Sequence, residues 1–132
     1  RIVNISSASG PMFLSKCSAE RVKFFIDSAT TLEQLRQAVG EVKAISDKHV
    51  AAGTDTSDAV AADAAAIGMG DAGSYGLSKA AVSCYTIGLA ARTPTLAINA
   101  CTPGFIETDL TIPFATGSGK TPQEMGMKGI EE

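Results

Sequence analysis

Tyr75 and Lys79 stand four residues apart in the run Tyr75-Gly76-Leu77-Ser78-Lys79, the spacing at which two side chains share one face of a helix. A free phenol, with a pKa of about 10, does little acid–base work at neutral pH, but a fixed cation beside it favours the phenolate and lowers that value. The pair makes Tyr75 a candidate proton donor and Lys79 the charge that tunes it. The same spacing arises by chance on helices where both side chains face water, so the pair takes its meaning from the segments around it.

Two such segments stand in order on either side. Upstream, Ile2 and Val3 lead into Asn4-Ile5-Ser6-Ser7; downstream, Asn99-Ala100-Cys101-Thr102 leads into Pro103-Gly104-Phe105-Ile106-Glu107-Thr108. With Tyr-x-x-x-Lys between them, the three motifs resemble those of the short-chain dehydrogenase/reductase family, in which a strand ends in Asn-x-Ser-Ser and a later strand runs into Pro-Gly-x-x-x-Thr. The resemblance implies an α/β fold that forms part of a doubly wound Rossmann-type parallel sheet with flanking helices. It also implies an NAD(P)H-dependent oxidoreductase that reduces a ketone or aldehyde carbonyl, with NADP, or NAD, as cofactor. By position in the motifs, Tyr75 is the general acid, Lys79 lowers its pKa and hydrogen-bonds the nicotinamide ribose, and Ser7 orients the substrate oxygen, with Ser6 as the fallback. Pro103 and Gly104 shape the wall beside the nicotinamide, and Thr108 hydrogen-bonds its carboxamide. The assignment is coherent chemically: as hydride reaches the carbonyl carbon, negative charge grows on the oxygen, and two hydroxyl donors meet it.

The stretch between Ser7 and Tyr75 is longer than the family's usual dozen or so residues. This departure resembles the carbonyl reductase branch, whose helical insertion at this place, here about 12–70, covers the face that other members use to dimerise and so implies a monomer. The chain opens on Arg1 and an apolar run with no Gly-rich strand-turn-helix before it, where the family holds the cofactor pyrophosphate. Residues 1–132 are therefore expected to be the C-terminal portion of a single Rossmann-type NAD(P)-binding domain whose N-terminal half is missing, inactive in isolation. The alternative expectation is a truncated non-catalytic remnant acting at most in interaction or structure.

Composition narrows the classes further. A chain of 132 residues, 45% hydrophobic and 19% charged, suits one globular domain. A net charge of −3 without clustered Lys and Arg argues against nucleic acid. No apolar run of eighteen or so residues and no basic-then-apolar leader are present, which argues against membrane insertion and predicts a cytoplasmic location. Cys17, Cys84 and Cys101 are odd in number, lack a Cys-x-x-Cys pair and have only His49 as an imidazole partner, so neither a disulfide framework nor a metal site is expected.

The elements that must position the candidate residues follow from apolar periodicity. Ile2, Val3 and Ile5 predict a buried parallel strand opening at Ser6 and Ser7, followed by a turn at Ser9-Gly10-Pro11. Val22, Phe25 and Ile26 predict a short helix over 18–26. A capping box of Thr30 and Glu33 is expected to start a second helix bearing Leu32, Leu35, Val39, Val42 and Ile45. Residues 51–73 read as a loop with one helical turn within 59–67. The Tyr75 helix should run to about Arg92, stopped by Pro94, and 96–101 should form the second strand. Gly68-Met69-Gly70-Asp71-Ala72-Gly73 matches Gly-x-Gly-x-x-Gly but lacks the acidic residue about twenty positions on. Gly117-Ser118-Gly119-Lys120-Thr121 has Phe114 where a phosphate-binding loop needs its first glycine, which sets aside a nucleotide hydrolase. His49 is expected to be solvated at a helix end without a catalytic partner, and the cysteines to be small packing residues.

Overall fold

β1 (Ile2–Ile5) and β2 (Ile98–Cys101) pair in parallel, in a register running from Ile2 opposite Ile98 to Ile5 opposite Cys101. They come from a computed structural model that describes residues 1–129. Between the strands lie five helices: α1 (Ser9–Leu14), α2 (Ala19–Ile26), α3 (Leu32–Ala52), α4 (Ser57–Ala66) and α5 (Ser74–Arg92). A sixth, α6 (Ile112–Gly117), follows β2.

This architecture corrects the expectation of a doubly wound Rossmann-type sheet. The described chain is mostly helical, and its one sheet has two strands. The physical reason lies in the sequence. Each strand draws on a single four-residue segment with three apolar side chains and an asparagine, whereas the long stretch between them carries helical periodicity, caps and alanine. The strands also differ from the buried reading: Val3 is 57% and Ile5 55% exposed, and only Ile98 is buried in β2.

The chain divides into two compact units, residues 1–101 and a second beginning at Thr102. In the first, Phe13 from α1, Phe25 from α2, Leu35, Ala38 and Val42 from α3, Ala64 from α4, and Leu77, Ala80 and Cys84 from α5 form one apolar core, joined by Met69. Phe25 meets Phe13 and Phe24 edge to face, with centroids 6.2 and 5.2 Å apart, an arrangement that suits the ring quadrupoles. The crossing of α1 over α5 is close because two glycines face it. A Cβ on Gly76 would lie 2.7 Å from Phe13 Cβ and 2.9 Å from the Ser9 carbonyl oxygen, and one on Gly10 would lie 3.1 Å from the backbone of Lys79 and Ala80.

Local signals locate most helices and misplace some ends. Ser18 caps α2, its hydroxyl accepting from the Arg21 N–H. The capping box sits one residue later than expected. Thr31 and Gln34 exchange bonds at the start of α3, while Thr30 is buried and its hydroxyl donates to the Phe24 carbonyl at 2.8 Å. The expected turn at Ser9-Gly10-Pro11 is instead the start of α1, where Pro11 needs no intrahelical donor in the first turn. The expected loop over 51–73 contains the ten-residue α4, whose alanines favour helix and whose Thr56 caps its first turn. The glycine-rich segment after α4 is a lead into α5, with Gly68, Gly70 and Ala72 all at positive φ.

In the second unit, Gly104 has φ of +91°, Ile106 bridges to Lys128, and Thr111 ties the entry of α6 by donating to the Ile106 carbonyl at 2.6 Å. Gly117 ends α6 and Gly119 takes a left-handed φ of +68°, so the expected loop over 117–121 starts at a helix terminus.

Candidate active site

β1 alternates its side chains, so Asn4 and Ser6 share one face while Ile5 and Ser7 point to the other. α5 presents Lys79, Ser83 and Thr86 along one stripe, at steps of four and three residues. The two faces meet. Asn4 Nδ2 donates to Thr86 Oγ1 at 2.8 Å, Ser6 Oγ lies 2.7 Å from Ser83 Oγ, and Ser6 Oγ donates to the Lys79 carbonyl at 3.3 Å. Ser6 and Thr86 are buried, at 8% and 4% exposure. Asn4 thus serves a strand-to-helix hydrogen bond, and Ser6 a buried one, which leaves Ser7 as the serine at the strand mouth. Ser7 Oγ accepts from the Ser9 N–H at 3.2 Å, which uses a lone pair and leaves its own O–H to donate.

Lys79 holds the two elements from the other side. Its Nζ donates to the Ile5 carbonyl at 3.0 Å and lies 5.6 Å from the centroid of the Tyr75 ring, within range of a cation–π attraction. Tyr75, in the first turn of α5, is 57% exposed. The structure thus brings Lys79 to both Tyr75 and the carbonyl two residues before Ser7. Pro103, Gly104 and Thr108 belong to the second unit, where the Thr108 hydroxyl lies 3.1 Å from that of Thr111.

Beside Tyr75 opens a groove of about 350 Å³ lined by Ser9, Met12, Phe13, Lys16 and Asp71 among others. Its rim carries an ion pair, Lys16 Nζ to Asp71 Oδ2 at 2.5 Å. The Lys16 ammonium, helped by the Gly73 N–H, holds the Asp71 carboxyl below the usual aspartate range. Cys17, on the adjoining turn, goes the other way: burial pushes its thiol up and the Asp71 carboxylate adds to this. Burial likewise raises Cys84 in the core. Cys101, exposed at the end of β2, departs from the packing role expected for all three.

His49 also departs from expectation. Its side chain is only 12% exposed and it has partners: Nδ1 lies 2.9 Å from Thr54 Oγ1 and Nε2 lies 3.1 Å from Asp63 Oδ2, clasping the end of α3 to α4. Lys48 also donates to Asp63, at 3.0 Å, and Lys48 first and then His49 hold that carboxyl below its ordinary range. Sequence reading missed Ser83 and Thr86; the signal available was their spacing from Lys79 on one helical stripe.

No helix among the described residues is long and apolar enough to cross a membrane, and none of their His, Cys, Asp and Glu side chains cluster in threes as a metal site would need. No protein-family model matches the chain, and no curated protein is significantly similar to it.

Proposed function

We propose that this chain carries the proton-transfer side of an NAD(P)H-dependent carbonyl reductase. Tyr75 acts as general acid, Lys79 as its electrostatic partner, and Ser7 as the hydroxyl that orients the substrate oxygen. The observation that carries the reading is the double contact of Lys79, 5.6 Å from the Tyr75 ring centroid and 3.0 Å from the Ile5 carbonyl, which ties the helix bearing the phenol to the strand ending at Ser7.

The donor set suits a nicotinamide nucleotide. An ammonium has three N–H donors; Ile5 takes one of Lys79's, which leaves two for the vicinal hydroxyls of a ribose. When bound, such a cofactor supplies the hydride that reduces the carbonyl carbon. The residues of this chain do the rest. Ser7 donates to the carbonyl oxygen and fixes its direction, Tyr75 gives its proton to that oxygen as negative charge develops, and the Lys79 cation stabilises the phenolate left behind. The groove beside Tyr75, with apolar Met12 and Phe13 in its wall, is the place for the substrate's carbon skeleton. α3, buried against the core through Leu35, Ala38 and Val42, supports action as a monomer. Free cysteines suit the reducing cytoplasm to which this reading assigns the reaction.

A second reading rests on the strand faces. Val3 and Ile5 present apolar side chains at more than half exposure, which suits a non-catalytic chain whose sheet is an interaction surface.

One assay separates the two: loss of reduced-nicotinamide absorbance with ketones and aldehydes, run on the chain joined to the upstream pyrophosphate-binding half that the family resemblance implies, and on the Tyr75→Phe variant of that protein. The enzymatic reading expects turnover that falls by at least about a hundredfold in the variant. Equal rates in both, or no binding of NADPH or NADH, would overturn it in favour of the interaction reading.

A further inference from the structure

We infer that Ser83 is a positioning residue of this site, setting the depth at which α5 seats on β1 and so holding Lys79 at both of its ends; the inference rests on the reductase reading for its functional meaning. Lys79 is anchored twice on one strand. Its carbonyl oxygen accepts from Ser6 Oγ at 3.3 Å, and its ammonium donates to the Ile5 carbonyl at 3.0 Å. The first anchor depends on Ser83. A hydroxyl has one proton to give; when Ser6 gives its own to the Lys79 carbonyl at 3.3 Å, Ser83 is the donor in the 2.7 Å contact between Ser6 and Ser83. In that arrangement the order runs from Ser83 to Ser6 to the Lys79 carbonyl.

A second rung, Asn4 Nδ2 to Thr86 Oγ1 at 2.8 Å, lies further along the same pair of faces, and Thr86 passes its own proton to the Val82 carbonyl at 2.7 Å. Two rungs at different heights fix both the slide and the roll of a helix on a strand. A shift of one residue, about 1.5 Å of rise with a turn of the stripe, would break both. The seam is also sheltered: Ser6 and Thr86 are buried, so a rung lost there is poorly replaced by water. Ser83 occupies the place nearest Lys79, one helical turn on, and controls the anchor closest to the reacting groups.

The test uses two readouts, the first on the chain itself and the second on the chain joined to the upstream pyrophosphate-binding half that the reductase reading requires. The first is the ¹⁵N-detected exchange of the Lys79 ammonium, assigned by Lys79→Arg; the second is NADPH oxidation with an aromatic aldehyde. Ser83→Ala should speed exchange of the ammonium protons by about threefold or more and lower kcat roughly five- to tenfold with KM changed less than about twofold. Ser83→Thr, which keeps the hydroxyl, should restore both. Ser6→Ala, which removes the middle of the relay, should loosen the ammonium to the same extent. An unchanged Lys79 signal in Ser83→Ala would overturn the inference, as would loosening that Ser83→Thr does not repair. Should the ammonium respond as stated while the wild-type protein, with its upstream pyrophosphate-binding half in place, oxidises no NADPH, the reductase reading fails and the anchoring by Ser83 stands.

Discussion

Replacing Gly76 with alanine should destabilise the unit formed by residues 1–101, although alanine is the better helix former. The added methyl would lie 2.7 Å from Phe13 Cβ and 2.9 Å from the Ser9 carbonyl oxygen, where unstrained contacts lie near 3.5–4.0 Å. Neither neighbour is the free end of a flexible chain. One is the root of a side chain that is 3% exposed and the other is backbone, so α1 and α5 must part by roughly an ångström. Overpacking of this kind costs about 2–3 kcal/mol, and the gain in helix propensity returns about 1 kcal/mol. The net loss is about 1–2 kcal/mol. With a urea slope of about 1.5 kcal/mol per molar for a chain of this size, the unfolding midpoint should fall by roughly one molar. Gly40→Ala is the matched control. Gly40 lies within α3, exposed, with no heavy atom within 4 Å of its added Cβ, and this variant should gain about 0.5–1 kcal/mol. Urea titrations of both variants by circular dichroism decide the matter. A Gly76→Ala midpoint that rises alongside that of Gly40→Ala would refute the close crossing of α1 on α5.

Two further outcomes follow from caps and charges. Thr31→Ala should cost about 1 kcal/mol by removing the side-chain acceptor for the Gln34 N–H, whereas Glu33→Ala, at the position sequence reading gave to the box, should cost less than about 0.5 kcal/mol; equal losses in urea unfolding would contradict the observed cap. Asp71 has its folded-state pKa depressed by Lys16, so its contribution is present above the ordinary aspartate value of about 3.8 and is lost as pH falls through the lower folded value. The pair is exposed, Asp71 at 44%, so screening keeps the effect below about 1 kcal/mol. Comparing midpoints from pH 6 down to pH 2, an estimated window set about that carboxyl, the wild-type chain should approach Asp71→Asn at the acid end; a constant gap between them would contradict the assignment.

How much of this was legible beforehand depends on the range of the interaction concerned. β1, α2, α5 and β2 were readable because their signals are local: an apolar run before Ser6, a helical face in Val22 and Phe25, a proline after Arg92. α4 was not, because alanine, glycine and aspartate in 51–73 resemble loop composition, and the segment is helical through its Thr56 cap and the burial of Ala64 against other helices. The box at Thr30 failed for a related reason. Thr30 and Thr31 are equivalent in pattern, and the choice between them was made by the buried bond from Thr30 to the Phe24 carbonyl, six residues back. His49 gained its partners in the same way, from an aspartate fourteen residues further along, on α4.

The candidate site shows the same division. That Tyr75 and Lys79 share a face is a property of a five-residue stretch, and the spacing alone supplies it. That Ser6 turns inward while Ser7 stays at the mouth depends on which face of β1 meets α5, more than seventy residues along the chain. A strand of alternating side chains can seat either face on a helix, and a shift by one residue exchanges them. Here Asn4 and Ser6 find hydroxyl partners on α5 at matching heights, Thr86 and Ser83, whereas Ile5 and Ser7 would offer that seam one apolar side chain and one hydroxyl. The polar matching therefore selects the face, and in doing so it leaves Ser7, rather than Ser6, outside that seam.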